Sequence, residues 1–331
     1  MNTQFNTLTD HDTFHQWGEF FIQRKKGKVS PSQIRSLQCY LKHAYNFFGD
    51  MPLNKIKTDH IDYMLDSLTE CNPNTKKPAS HQLLIDVRGA ISSVFELAID
   101  KDAVIKNPAR KREISKFAPK SERRALTLTE QKLIVSTPHR ARIGALIMML
   151  AGLRKGELIP LTWDDINLDD FYISITKSVE EKTANHYIVK NGTKNGKWGR
   201  NVGITVDLAL EIQKAKETAK SKYVCCKTDG TMHTATSWRR MWSNYIKTII
   251  DLNPSAKQTG INEITAHYLR HTYATLLYIS DVDLETACKL LGHSNIKTTL
   301  AIYTHLQETM VIKSVDKLDS YISKTIFDSS I

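Results

Sequence analysis

The chain has no apolar run long enough to span a membrane. Its most apolar stretch, Ile143 to Leu153, is interrupted by Gly144 and Gly152 and runs into Arg154 and Lys155. It reads as a buried helix. The N-terminus, MNTQFNTLTDHD, lacks the basic and apolar regions of a signal peptide. These two absences predict a cytoplasmic protein with no membrane partner. No two cysteines have C-x-x-C spacing: Cys39, Cys71 and Cys288 stand alone, and Cys225 and Cys226 are adjacent. That argues against thiolate zinc sites and redox motifs, and all five read as reduced structural residues. Internal repeats and low-complexity segments are missing as well. Acidic residues are outnumbered, 35 against 46 basic, for a net charge of +11. Such a balance favours polyanionic partners: DNA, RNA or an anionic surface.

What is present is helical patterning on a scale of two domains. A chain of 331 residues can bury two cores. After a flexible N-terminus over 1–11, Phe14, Trp17, Phe20 and Phe21 recur at helical spacing. Ser30-Pro31 followed by Gln33 is a helix start with a capping box. Its helix has an apolar face of Ile34, Leu37, Leu41, Tyr45 and Phe48, and offers Arg35, Lys42 and His43 on the other. Helices are predicted over Thr58–Leu68 and Ala79–Asp100, separated by a turn-rich loop holding Lys76 and Lys77. Residues 12–105 are thus expected to form a helical domain. Residues 106–125 form a basic linker with Arg110, Lys111, Arg112, Arg123 and Arg124, placed to track a phosphate backbone.

Thr127 and Glu130 form another capping box, which opens a second domain over 126–305. Here a small antiparallel β-sheet joins the helices. Strands are predicted over Phe171–Thr176, Tyr187–Val189 and Asn201–Thr205, with the last two closing a hairpin around the Asn-Gly turns of 191–196. The segment 177–190 reads as an insertion. A helix over Thr236–Ile250 presents Arg239 and Arg240 as a DNA-facing corner, and Arg35, Lys42, His43, Lys76 and Lys77 of the first domain are likewise expected DNA contacts. A last amphipathic helix over 306–321, within a C-terminal segment 306–331, is a candidate for docking between protomers. The expected class is mainly α with a small antiparallel sheet.

The chemistry concentrates between His267 and Tyr303. His267 and Arg270 share a helix face. Gly292 is placed as a left-handed helix cap, His293 follows it, and Ser294-Asn295 starts the helix that carries Tyr303. A cationic pocket facing a phenol suits a phosphodiester. Cutting and resealing DNA without nucleotide energy requires a covalent intermediate, for which a tyrosine oxygen can be the nucleophile. Its pKa near 10 demands a base or a cationic pocket. Guanidiniums hold the developing phosphorane charge without deprotonating. A lysine can act as acid for the leaving oxygen. No metal or cofactor is needed. His267 and His271 are an i, i+4 pair, but no third ligand and no H-E-x-x-H glutamate accompany them.

The strings AGLRKGEL over 151–158, Thr193-Lys194, HYLRHT over 267–272, LLGHS over 290–294 and Tyr303 occur in the order and spacing of the tyrosine recombinase (phage integrase) family, which the chain resembles from about residue 12 to 322. The resemblance implies a core-binding domain followed by a catalytic domain. It implies that Arg154 and Arg270 bind the scissile phosphate and that His267 moves the nucleophile's proton. It also implies that His293 donates to the phosphate, Lys194 is the general acid, Tyr303 is the nucleophile and Glu157 supports the site from behind. Lys197 competes with Lys194 in the same segment. The implied partners are double-stranded DNA at specific sites, a homotetramer on two such sites with a monomer or weak oligomer before DNA, and accessory DNA-bending or directionality factors. The expected function is integration or excision of a mobile element. The alternatives are a chromosome-dimer-resolving recombinase and a non-catalytic DNA-binding regulator.

Overall fold

The computed structural model of the chain describes residues 8–120, 124–183, 185–192, 199–293 and 295–304. Lys194, Lys197, Arg123, Ser294 and the helix expected over 306–321 lie outside them. The chain divides into two compact units, Met1–Glu122 and Arg123–Ile331.

The first unit is built from four helices: α1 (Phe14–Lys25), α2 (Pro31–Phe48), α3 (Thr58–Glu70) and α4 (His81–Ile99). Local chemistry sets their starts. Thr13, Ser30 and Ser80 each accept a backbone N–H of the first turn, and Gln16 and Gln33 complete capping boxes. Phe14, Trp17, Leu41, Phe48, Ile61, Met64, Leu84, Ile91 and Phe95 form the core, and Phe14 meets Phe48 edge to face. Each fully buried large side chain contributes about 1.5–3 kcal/mol.

Two expectations about this unit's ends are corrected. Residues 8–11 are pinned rather than loose: Trp17 Nε1 donates to the Thr9 carbonyl at 2.9 Å, and the Asn54 N–H donates to the Asp10 carbonyl at 3.1 Å. Residues 106–119, expected as an interdomain linker, are instead anchored on the first unit's own core. Ala109 and Ala118 lie in the core, Asn107 Nδ2 donates to Glu96 at 2.6 Å, and the Pro119 carbonyl accepts the His81 N–H. Small alanines spaced through a charged run let the backbone lie against α4 while the long side chains reach outward.

The second unit holds α5 (Leu128–Ser136), α6 (Arg142–Leu150), α7 (Lys155–Leu158), α8 (Val206–Glu217), α9 (Ala235–Leu252), α10 (Ala266–Ile279) and α11 (Leu284–Leu291). Buried α6 packs against α10. The stripe Trp238, Met241, Trp242, Tyr245 and Ile249 turns α9 into the core, and Trp242 Nε1 donates to the Ile264 carbonyl at 2.7 Å. Five strands complete it: β1 (Ile166–Asn167), β2 (Tyr172–Ile175), β3 (Lys177–Thr183), β4 (His186–Asn191) and β5 (Arg200–Gly203). The fold is mainly helical with small antiparallel sheets.

The strand pairing differs from the expected hairpin. β4 does not pair with β5. Antiparallel β1, β2 and β5 form one sheet, with Ile175 opposite Arg200, and β3 and β4 form a separate ribbon, with Val179 opposite Val189. The insertion 177–190 is that ribbon. Its turn lacks glycine, and Asn185 takes the left-handed conformation at φ 61°, one that asparagine tolerates better than most residues.

Candidate active site

Four segments of the second unit converge. The first is the turn after α6. Gly152 has φ 66°, and a Cβ there would lie 2.2 Å from the Tyr273 ring. Only glycine lets α10's tyrosine lie on this backbone. Arg154 follows as the N-cap residue of α7, and its backbone N–H donates to Glu157 Oε2 at 2.9 Å. The second segment is α10, which carries His267 and Arg270. The third is the end of α11, where Gly292 closes the helix at φ 61°, ψ 42°. The fourth is the helical stretch 296–304 with Tyr303.

The guanidiniums are held by the end of α11. Arg154 Nη2 donates to the Gly292 carbonyl at 2.7 Å, and Arg270 donates to the Leu291 and Gly152 carbonyls. Arg200, at the start of β5, donates Nε to the Leu290 carbonyl at 3.0 Å. Three consecutive carbonyls thus receive three arginines, at the end of a helix where partial negative charge collects. Glu157, its side chain 3% exposed, accepts from Arg154 Nη1 at 2.8 Å and from both Nη atoms of Arg200 at 3.1 and 3.0 Å. Among the described residues it is the one carboxylate hydrogen-bonded to this group. Three guanidiniums against one carboxylate leave an excess of positive charge.

That excess marks the ionisations. Burial, then Arg154, pushes Arg270 down to about 9. Burial, then Arg270, Arg154, Arg200 and His267, pushes His293 down to about 4, so its ring is neutral at pH 7. Burial alone would raise Glu157, but Arg200 and Arg154 outweigh it and hold the carboxyl below the usual range. His293 Nδ1 is 2.7 Å from the Thr299 hydroxyl, which fixes the ring.

Arg154, His267 and Arg270 line one cleft of about 560 Å³, with Tyr187, Trp238 and Arg239 on its other walls. Tyr303 is held apart. It is 9% exposed, packs edge to face on Tyr278 and donates its hydroxyl to the Val282 carbonyl at 3.1 Å. Burial pushes its pKa up to about 12. The candidate nucleophile Tyr303 is therefore also a core residue, and it is not among the residues lining that cleft.

The structure brings together Arg154, Glu157, Arg270 and His293, with His267 on the same cleft. Arg200 is a site residue that the sequence patterns do not single out. Among the expected DNA contacts, Lys42, Lys76, Lys77, Lys111, Arg239 and Arg240 are exposed, and Arg35 is half-buried. Arg110 pairs with Glu96 and Arg112 with Asp62. Arg124 grips buried Glu130 through two bonds and the Thr259 carbonyl through a third, so it serves this unit's own packing. His43 is corrected outright. It is 5% exposed, because α2 is covered by both α1 and α4.

The chain is similar to several known proteins. Residues 117–310 match the phage integrase family. The integrase of Staphylococcus phage L54a is 25% identical over 97% of this chain and 95% of its own. Tyrosine recombinase XerA of Pyrococcus horikoshii is 31% identical over 69% of this chain and 70% of its own. Among solved structures, the Tn1549 transposon integrase in complex with transposon right end DNA superposes with a TM-score of 0.76 at 19% identity, covering 93% of this chain and 99% of that one. A lambda integrase tetramer bound to a Holliday junction gives 0.64 at 19% identity, over 86% and 79%. With more than half of its length matched and its arginines, histidines and tyrosine set as described, the chain belongs to the phage integrase family.

Proposed function

We propose that this protein is a site-specific DNA recombinase that integrates or excises a mobile element, working through a 3′-phosphotyrosine bond at Tyr303. The observation that carries this reading is the cleft where Arg154, Arg270 and His267 meet with more guanidinium than carboxylate. A guanidinium has five N–H donors. The bonds to protein described above use two of Arg154's and two of Arg270's. A phosphodiester offers the missing negative charge and two non-bridging oxygens to accept.

In the proposed reaction Tyr303 leaves the Val282 carbonyl, and its oxygen attacks phosphorus. Its proton passes to His267. Arg154 and Arg270 hold the non-bridging oxygens as charge develops on them. His293 donates from Nε2 while Thr299 fixes Nδ1. The bond to the 5′-oxygen breaks, and Lys194 protonates that oxygen. Resealing is the reverse, with a 5′-hydroxyl from the partner strand as nucleophile, so no energy source is consumed. Two such exchanges require four protomers on two sites, and residues 306–331 are the proposed docking segment. DNA-bending or directionality proteins are the proposed accessories.

The test is a nicked suicide duplex carrying the core site recovered by binding-site selection. A protein–DNA adduct that survives denaturant and vanishes in Tyr303→Phe is expected. Intact binding with no adduct from the wild type would instead identify a non-catalytic regulator.

A further inference from the structure

Arg200 has no part in the proposed reaction, yet among the site's described guanidiniums it makes the most hydrogen bonds. Its side chain is 14% exposed. Two of its nitrogens clamp Glu157, and the third holds the Leu290 carbonyl. It also lies flat against Gly292, where a Cβ would come within 2.7 Å of its Nη1. The contacts join β5, α7 and the end of α11. Two of those three elements adjoin proposed phosphate ligands: α7 is capped by Arg154, and α11 is followed by His293. Arg154 and Arg270 also bond to α11, but each spends two donors there or nearby. Arg200 spends three, on two edges of one plane, and cannot turn toward a phosphate without releasing Glu157.

We propose that Arg200 is a positioning residue that locks Glu157 to the Leu290 carbonyl, and so holds Arg154 and His293 at a fixed separation for the scissile phosphate. The proposal rests on the strand-cleavage reading. Without this clamp Glu157 keeps only Arg154, and the end of α11 loses one of its three anchors. A ligand displaced by about 1 Å costs on the order of 100-fold in rate. Lysine supplies the charge but not the planar fork, so it should restore only part of the loss.

The experiment compares wild type, Arg200→Met, Arg200→Lys, Glu157→Gln and the Arg200→Met/Glu157→Gln double variant on the same nicked duplex. Binding is read first, then single-turnover adduct formation with all DNA bound. Binding should stay within about twofold, the scatter of independent effects. Adduct formation should slow about 100-fold in Arg200→Met and less in Arg200→Lys. The double variant should be no slower than the worse single one. Binding and cleavage falling together would make Arg200 a direct DNA ligand. Unchanged cleavage, or losses that multiply in the double variant, would also overturn the proposal. Should Arg200→Met fail to fold, Arg200→Lys gives the same comparison: slower cleavage at unchanged binding supports the proposal, and unchanged cleavage overturns it. Wild-type adduct formation reports separately on the cleavage reading. In the DNA-free protein, the His293 ring should titrate at higher pH in Arg200→Met, where one guanidinium is gone, than in Arg200→Lys. Identical titration would count against the clamp even if no cleavage were observed.

Discussion

Glu157→Gln should destabilise the second unit by about 3 kcal/mol at pH 7, the low end of the loss expected when one partner of a buried pair is removed. The low end applies because Arg154 keeps 31% of its side chain in solvent and Arg200 keeps 14%. Glutamine has the same shape but one acceptor oxygen, and its amide NH₂ faces donors. Of the four N–H groups now directed at Glu157, two would be left without a partner. Four of the five tryptophans fall in the second unit, so tryptophan fluorescence during urea unfolding follows that unit. The midpoint should fall by about 1–3 M at urea slopes of about 1–3 kcal/mol/M. The sign with pH is fixed by the lowered pKa of the carboxyl. A carboxyl with a depressed folded value stabilises fully above its unfolded value, about 4.3, and loses that contribution as pH falls through the folded one. The difference between wild type and variant should be flat from pH 6 to 8 and shrink below about pH 4.3. A difference unchanged in acid, or a variant as stable as wild type at pH 7, would refute the reasoning.

Two further outcomes are expected. Gly292→Ala places a methyl at φ 61° and within 2.7 Å of the Arg200 guanidinium. The backbone alone costs about 1–2 kcal/mol. Gly292→Asn separates the two effects, since asparagine tolerates that backbone but carries the same Cβ: both variants should lose cleavage, and an active asparagine variant would remove the steric argument. The His293 ring should remain neutral from pH 8 down to about 5 in the free protein, as read by NMR. Its stabilising contribution is complete above the unfolded value near 6.5 and is lost as pH falls toward 4. Bound duplex should raise the pKa, because a phosphate offsets the arginines that depress it.

The site is legible in the sequence wherever its chemistry is local. Capping boxes at Ser30 and Thr127, the left-handed Gly292 and the His267–Arg270 helix face are all short-range patterns, and the fold carries them as read. Arg200 is not legible, because its partners lie 43 and 90 residues away. Nothing near it in sequence distinguishes it from any basic residue beside a turn. His43 misleads because one helix wheel shows one buried face, while α2 is packed on two sides. The β3–β4 ribbon escapes for another reason. Glycine-containing turns at 191–196 draw the expected hairpin to the wrong place, whereas the real turn uses Asn185, whose Oδ1 also accepts from the Thr236 N–H and hydroxyl at the start of α9.

The pairing of β2 with β5 has a consequence for how such a protein can change over evolution. Ile175 and Arg200 face each other across the ladder, and a Cβ on Gly199 would come within 2.5 Å of the Ile175 carbonyl. Everything between them leaves and returns at neighbouring points. Lengthening such an excursion costs little, about 0.6 kcal/mol per doubling. Residues can be gained or lost there without shifting the strand register that delivers Arg200 to Glu157. Yet Tyr187 lines the cleft and Lys194 is the proposed acid, so such changes are confined to positions that leave those two residues in place.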